Sequence, residues 1–210
     1  HNPEVKEKLE QFGIPVLVER SSYESHPLGR TEWMKLYGVL LGKENQAEKV
    51  FEEQSSKLEK VLSAENTGKT VAFFYINSTG AVNVRKSGDY VSEMIRLAGG
   101  KYVPEDTGSN DNALSTMNMQ MEEFYAKAKD ADYIIYNSTI DGELTTIDEL
   151  LSKSELLADF KAVKNGNVWC TGKNLFQETT GLGTMIEDIH TILTEDDASL
   201  EKLTYMHRLK

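Results

Sequence analysis

The chain has 210 residues, 39% apolar and 27% charged, enough for one sizeable folded body or one body plus part of a second. Its 23 Lys and Arg stand against 34 Asp and Glu, a formal charge of −11. Nucleic acid and anionic membrane surfaces are therefore poor partners, since phosphate contacts need clustered cations.

The sequence opens at His1-Asn2-Pro3-Glu4 without an initiator Met and reads as a chain whose earlier part is missing. Pro3 suits a first helical turn, Val5, Leu9 and Phe12 mark one face, and Gly13 ends the helix. Ile14-Pro15-Val16-Leu17-Val18 reads as a short buried strand. A polar loop follows and gives way to a long helical pattern. Trp33, Leu36, Tyr37, Leu40 and Leu41 share one helical face, which resumes after Gly42 through Ala47, Val50, Phe51, Leu58 and Leu62. If continuous, this helix is roughly 30 residues and about 45 Å long. Periodicity alone allows two packed helices broken at Gly42 equally well.

Residues 69–76 (KTVAFFYI) predict a buried strand, Asn77-Ser78-Thr79-Gly80 a hairpin turn and residues 81–85 its returning partner. Ser87-Gly88-Asp89 starts a helix with Tyr90, Val91, Met94, Ile95 and Ala98 on its face, closed by Gly99-Gly100. A polar loop over 105–112 leads to a helix around 122–129 and a strand over 132–136. Further on come a helical stretch over 146–160, a strand over 168–171, a helix beginning near Leu182 and a last short helix over 200–209. Strands alternating with helices, with near-continuous apolar strands, predict an α/β fold with a mostly parallel sheet covered on both faces.

No phosphate-binding loop, dinucleotide fingerprint or Gly-x-Ser-x-Gly occurs. A single cysteine, Cys170 in the apolar run Val168-Trp169-Cys170, excludes an internal disulfide or cysteine-based zinc site and reads as a packed thiol. His1, His26, His190 and His207 are scattered, so neither a metal site nor a catalytic residue is assigned. The pairs Glu52-Glu53, Glu122-Glu123 and Asp196-Asp197 read as solvated faces. What remains is position. Ligands of open α/β sheets gather beyond the strands' carboxyl ends. Those ends carry Tyr75 and Asn77, then Asn137, then Lys173. Arg85 adds positive charge before a helix N-terminus, and Tyr23, His26 and Arg30 follow the upstream strand. Tyrosines with a few cations suit a bulky anionic or aromatic ligand, but the same residues also occur as ordinary polar loop residues. An α/β enzyme acting on a small phosphorylated or anionic substrate at Tyr75, Asn137 and Lys173 is the alternative.

Four passages resemble a known family. Gly13-Ile14-Pro15-Val16 leads into the loop over 21–30 and TEWMKLYGVLLGKENQAEKVF; VNVRKSGDYVSEMIRLAGGKYV, MEEFYAKAKDADYIIYN and the helix after Trp169 follow in order. Together they are similar to extracytoplasmic substrate-binding proteins of ABC importers for iron–siderophore complexes, haem and cobalamin. The resemblance implies no catalysis and no cofactor. Its implied domains are a remnant of an N-terminal lobe with a cleft loop (1–29), one long connector helix (30–66) and a C-terminal α/β lobe (67–210). It implies an extracytoplasmic location, lipoprotein anchoring of the full-length protein and a membrane permease as partner. By position in Met-Glu-Glu-Phe, Glu122 would dock the permease, with Glu123 the other choice. Arg85 is the first ligand candidate, supported by Tyr75, Asn77, Asn137, Lys173, Tyr23 and Arg30. An uncovered apolar connector face would favour self-association of the chain.

Overall fold

The computed structural model describes residues 3–105, 107, 115–195 and 200–210. In chain order the helices are α1 (Pro3–Gln11), α2 (Pro27–Leu41), α3 (Glu44–Leu62), α4 (Tyr90–Leu97), α5 (Met121–Ala128), α6 (Ile147–Lys153), α7 (Lys161–Lys164) and α8 (Leu182–Thr194). The strands are β1 (Thr70–Ile76), β2 (Val82–Arg85), β3 (Lys101–Val103), β4 (Thr116–Met119), β5 (Tyr133–Tyr136), β6 (Val168–Thr171) and β7 (Met206–Arg208).

One mixed sheet runs in the order β4-β2-β1-β5-β6-β7, with β3 beside the first half of β1. β1, β3, β5 and β6 are parallel, in the registers Val71↔Tyr102, Ala72↔Ile134 and Ile135↔Trp169. β1, β5 and β6 are buried on both faces, and they separate two cores. Val71, Phe73, Ile135 and Trp169 face Met94 and Ile95 of α4 and Met185, Ile186 and Ile189 of α8. Ala72, Phe74, Ile134 and Tyr136 face Phe124 of α5 and Leu150 of α6, with Leu157 and Phe160 beyond. Phe124 lies 4.5 Å from Phe74 and 5.7 Å from Phe160, ring centre to ring centre. Cys170 is buried in this second core, and burial pushes its thiol up to about 11, so it is an inert packed group.

Four expectations are corrected. The pattern over 30–66 is not one helix. Gly42 takes the left-handed conformation (φ 63°), which ends α2, and the chain folds back as α3. Gly38 lets the two helices touch, because a Cβ there would stand 2.7 Å from that of Ala47. Lys35 crosses the gap to Glu48 at 3.2 Å and lies 3.9 Å from the Phe51 ring centre. Of the predicted apolar face of α2, Trp33 and Leu36 are half-buried, while Tyr37, Leu40 and Leu41 are exposed, Leu41 at 73%.

Residues 14–18 take no regular secondary structure and pair with no strand; Ile14 and Leu17 are exposed. A run is a buried strand only if both its faces are covered, and here only Val16 and Val18 are half-buried. The last helix over 200–209 is replaced at its end by β7, antiparallel to β6 with Cys170↔His207. The stretch over 146–160 is α6 followed by a 3₁₀ turn, Glu155–Asp159, separated at Ser154 by extended backbone (φ −164°). The polar loop over 105–112 and the Asp196-Asp197 pair lie largely or wholly outside the described residues.

α3 is fastened to α8. Gln54 Oε1 accepts from the Thr184 backbone N–H at 3.0 Å and from its hydroxyl at 3.3 Å, and Lys57 pairs with Glu187 at 2.7 Å. Gly183 presents so little bulk that the Gln54 carbonyl oxygen lies 2.3 Å from where a Cβ would stand.

Candidate functional site

Arg85 ends β2 and lies beside Thr116 of β4. Four residues on, Asp89 forms the N-cap of α4; its Oδ1 accepts from the Val91 N–H at 2.9 Å. The same oxygen is 3.7 Å from Arg85 Nε. The Arg85 side chain is 9% exposed and that of Asp89 not at all. The Arg85 guanidinium donates to Ser115 Oγ at 3.3 Å and lies 4.5 Å from the Phe176 ring centre. The Tyr102 hydroxyl fixes the strand end by accepting from the Arg85 N–H and donating to its carbonyl, at 2.9 and 2.8 Å.

A second guanidinium reaches the same place from α2. Arg30 stacks on Tyr90, the first residue of α4, at 3.8 Å from the ring centre. Its Nε donates to the Glu24 carbonyl and its Nη2 to the Ser22 carbonyl, both at 2.8 Å, so it also holds the 3₁₀ turn Ser21–Tyr23 and the residue after it. Burial pulls the Arg30 guanidinium below its usual range, opposed by Tyr90 and Asp89 and reinforced by the like charge of Arg85. Burial pushes the Asp89 carboxyl up, against the pull of Arg85, the Val91 N–H, Arg30 and Ser115. The Tyr90 and Tyr102 hydroxyls are pushed up by burial as well. Asp89 Oδ2 is buried with no hydrogen-bond partner.

Beside this cluster Ser25, His26, Ser87, Gly88 and Glu93 line a hollow of about 240 Å³. This is smaller than the roughly 300–1,000 Å³ pockets that drug-sized ligands occupy. His26 Nδ1 accepts from the Leu28 N–H at 3.2 Å and caps α2, so this nitrogen is taken up by the helix start. Among the described residues no group of three or more metal-ligating side chains occurs.

The sequence-predicted residues thus separate into two groups. Arg30 and Arg85 meet through Asp89 and Tyr90, and Tyr23, exposed, sits on the turn that Arg30 holds. Asn77 and Asn137 end neighbouring strands, and each spends its side-chain oxygen on its own turn: Asn77 Oδ1 accepts from Thr79 and Ala81, Asn137 Oδ1 from Thr139. Tyr75 faces Asn83 across the hairpin, and the Lys173 N–H donates to Glu143 Oε1 at 2.9 Å. Arg85 is at the other end of β2 from the Asn77 turn, about 13 Å along the strand at about 3.3 Å per residue. Among the described residues no hydrogen bond, ion pair or ring contact joins those four to the arginines. Asp89 and Phe176 are the neighbours that sequence reasoning did not assign to the site. Asp89 read only as a helix start, and Phe176 comes from a loop distant in sequence.

The family model described as "Periplasmic binding protein" matches residues 3–175. A lipoprotein of Methanocaldococcus jannaschii is 31% identical over 192 residues, covering 89% of this chain and 44% of its own length. The chain spans about half the length of the curated relatives it matches. Among solved structures, the periplasmic haem-binding protein HutB of Vibrio cholerae superimposes with a TM-score of 0.71 at 19% identity, over 92% of this chain and 73% of that one. An ABC-type Fe3+-hydroxamate transport protein from Saccharomonospora viridis gives 0.68 at 18% identity, over 89% and 64%. At these identities the likeness is one of fold.

Proposed function

The chain belongs to the periplasmic binding protein family, and from that footing we propose that it is part of the solute-binding component of an ABC importer. In this reading it captures an iron chelate, haem or cobalamin outside the cell and hands it to a membrane permease. The family is one of binding proteins, so the enzyme alternative is set aside. The names of the fold neighbours, a haem binder and an iron–hydroxamate transporter, support the ligand class. The M. jannaschii lipoprotein supports an extracytoplasmic, anchored full-length protein.

The observation that carries the proposal is the meeting of Arg30 and Arg85 beside an open hollow at a helix N-terminus. Buried guanidinium groups bind carboxylate, catecholate or propionate oxygens through charge-assisted hydrogen bonds. Tyr23 lies on the adjoining turn, and Tyr75, Asn77, Asn137 and Lys173, near the strand ends and apart from the arginines, are the weaker ligand candidates, with Asn137 buried. Residues 1–29 are read as part of an N-terminal lobe, residues 67–210 as the C-terminal lobe and residues 30–66, folded as α2 and α3, as the link. The exposure of Phe12 (72%) and Leu17 supports this division, since a partner lobe would cover them. The test is to titrate the full-length protein with a ferric hydroxamate, haem and cobalamin while following tryptophan fluorescence. Trp33 reports on the site because its indole N–H donates to Glu24 Oε1 at 3.2 Å. Saturable quenching by one of them is expected; silence with all three overturns the ligand class.

Glu122 and Glu123 begin α5, and both are exposed. Glu123 pairs with Lys127 at 2.8 Å, which leaves Glu122 the freer carboxylate for a permease arginine. Glu122→Ala is expected to leave ligand affinity unchanged and to reduce transport in reconstituted vesicles at least severalfold. A drop in affinity instead would assign Glu122 to the ligand.

A further inference from the structure

The tripeptide Asn-Ser-Thr occurs twice, at residues 77–79 and 137–139. An Asn followed two residues on by Ser or Thr is the acceptor pattern for N-linked glycosylation in surface loops of exported proteins. The pattern alone does not separate the two copies. Asn77 follows β1 and Asn137 follows β5, and both fold the same local turn. Asn77 Oδ1 accepts from the Thr79 N–H at 3.0 Å and from its hydroxyl at 2.7 Å. Asn137 Oδ1 accepts from the Thr139 N–H at 3.2 Å and from its hydroxyl at 2.6 Å.

Their surroundings are opposite. Asn137 is 3% exposed and Ser138 1%. The Asn137 N–H donates to the Phe74 carbonyl at 2.8 Å and the Ser138 N–H to Thr171 Oγ1 at 3.1 Å, so this copy is closed in between β1 and β6. A sugar chain has no room there. Asn77 instead opens the hairpin between β1 and β2. Its N–H donates to the Ala81 carbonyl and its carbonyl accepts from the Gly80 N–H, both at 2.9 Å, with Gly80 in the left-handed conformation (φ 81°). Asn77 is half-buried, and Ser78, Thr79 and Gly80 are exposed. Its Oδ1 also accepts from the Ala81 N–H at 3.1 Å. Among the described residues every hydrogen bond of the Asn77 side chain is made at this oxygen, which leaves Nδ2 free to carry a substituent without loss of the turn. Donors on an amide oxygen also draw charge from its nitrogen and make the N–H easier to lose.

We propose that Asn77 is an N-glycosylation site and that Asn137, in the same tripeptide, is not. This rests on the extracytoplasmic reading, since the modification is made on exported chains. The co-substrate is an oligosaccharide carried on a lipid phosphate, brought to the chain by a membrane transferase. Asn77 Nδ2 bonds to the anomeric carbon of the first sugar, and the bond from that carbon to the phosphate oxygen breaks. The electron pair leaves with the lipid phosphate, and the Nδ2 proton passes to a base of the transferase. The turn lies at the other end of β2 from Arg85, so a glycan there leaves the arginines uncovered. It also withdraws Asn77 from the weaker ligand candidates.

The test is to purify the full-length protein from the cells that make it, digest it with trypsin and weigh two peptides. Cleavage after Lys69 and Arg85 releases residues 70–85, and cleavage after Lys129 and Lys153 releases residues 130–153, each with one of the two tripeptides. The first is expected to carry the mass of a glycan in most copies and the second to carry none. Thr79→Ala is expected to abolish the modification and Thr79→Ser to retain it; Thr79 is exposed on the turn, so both variants keep the fold. Protease added to intact and to lysed cells reports whether the protein lies outside. An unmodified 70–85 peptide from a protein that protease reaches on intact cells overturns this inference and leaves the importer reading standing. A glycan on the 130–153 peptide overturns the role of burial in telling the two copies apart. A protein cleaved only after lysis, with both peptides unmodified, brings down the extracytoplasmic reading and this inference with it.

Discussion

Arg85→Ala is expected to cost the fold about 3 kcal/mol at neutral pH, because it leaves the buried Asp89 carboxylate without its closest cation. The loss has a pH signature. Burial already pushes the Asp89 carboxyl up, and Arg85 is the largest influence holding it down. Without Arg85 the folded-state value rises further while the unfolded value stays near the ordinary carboxylate range of about 4. The folded variant then holds its proton more tightly than the unfolded chain does. Its stability is greatest below the unfolded value and falls as pH rises through the raised folded value. Urea denaturation at pH 7 and near pH 5 is expected to show the deficit shrinking in acid. A deficit that does not change with pH would mean that lost packing on Phe176, and not the stranded charge, dominates. The same variant is expected to lose at least tenfold in affinity for the cognate ligand.

Gly183→Val is expected to be comparably severe for a steric reason. A Cβ at this position stands 2.3 Å from the Gln54 carbonyl oxygen, 2.9 Å from its carbonyl carbon and 3.0 Å from its Cα. These are backbone atoms in the middle of α3, so no rotamer change relieves the overlap. α3 must lift from α8, at the expense of the Gln54–Thr184 bonds and the Lys57–Glu187 pair. Overpacking of this kind costs about 3 kcal/mol, and in a chain of this size roughly 10 °C of thermal midpoint. Calorimetry checks it; a midpoint within about 2 °C of wild type would show that the helices are not pressed together at Gly183.

How much was legible follows from what each signal depends on. KTVAFFYI, DYIIY and VWCT identified β1, β5 and β6 because strands buried on both faces need uninterrupted apolar residues. α4 and α8 were legible because their buried residues recur at helical spacing. β3 and β4 were not, since KYV and TMNM are short and owe their pairing to neighbours distant in sequence. β7 was mistaken for a helix for the same reason: its partner, not its composition, makes it a strand. At Gly42 periodicity supported one helix or two equally, and resemblance favoured one. The close contact at Gly38 and Ala47, invisible to periodicity, belongs to two.

The candidate site was legible in its cations and illegible in its anion. Arg85 and Arg30 stood out as positive charges beside a helix start and a loop. Asp89 looked like any N-cap, because the sequence carries no record that its second oxygen is buried or that two guanidinium groups flank it. Tyr75, Asn77, Asn137 and Lys173 came from a rule about strand ends, which does not separate an asparagine that greets a ligand from one that folds its own turn.

The placing of two concealed arginines in a chain of net charge −11 has a kinetic consequence. Beyond a screening distance of about 8–10 Å, an approaching anion responds to the acidic exterior and not to the guanidinium groups beneath it. Long-range attraction therefore does not speed the encounter, and low ionic strength slows it. In the proposed binding role, a solute that reached the arginines would meet cations in a medium far less polarisable than water, and escape would become the slow step. Discrimination among solutes would then rest on dwell time more than on arrival rate.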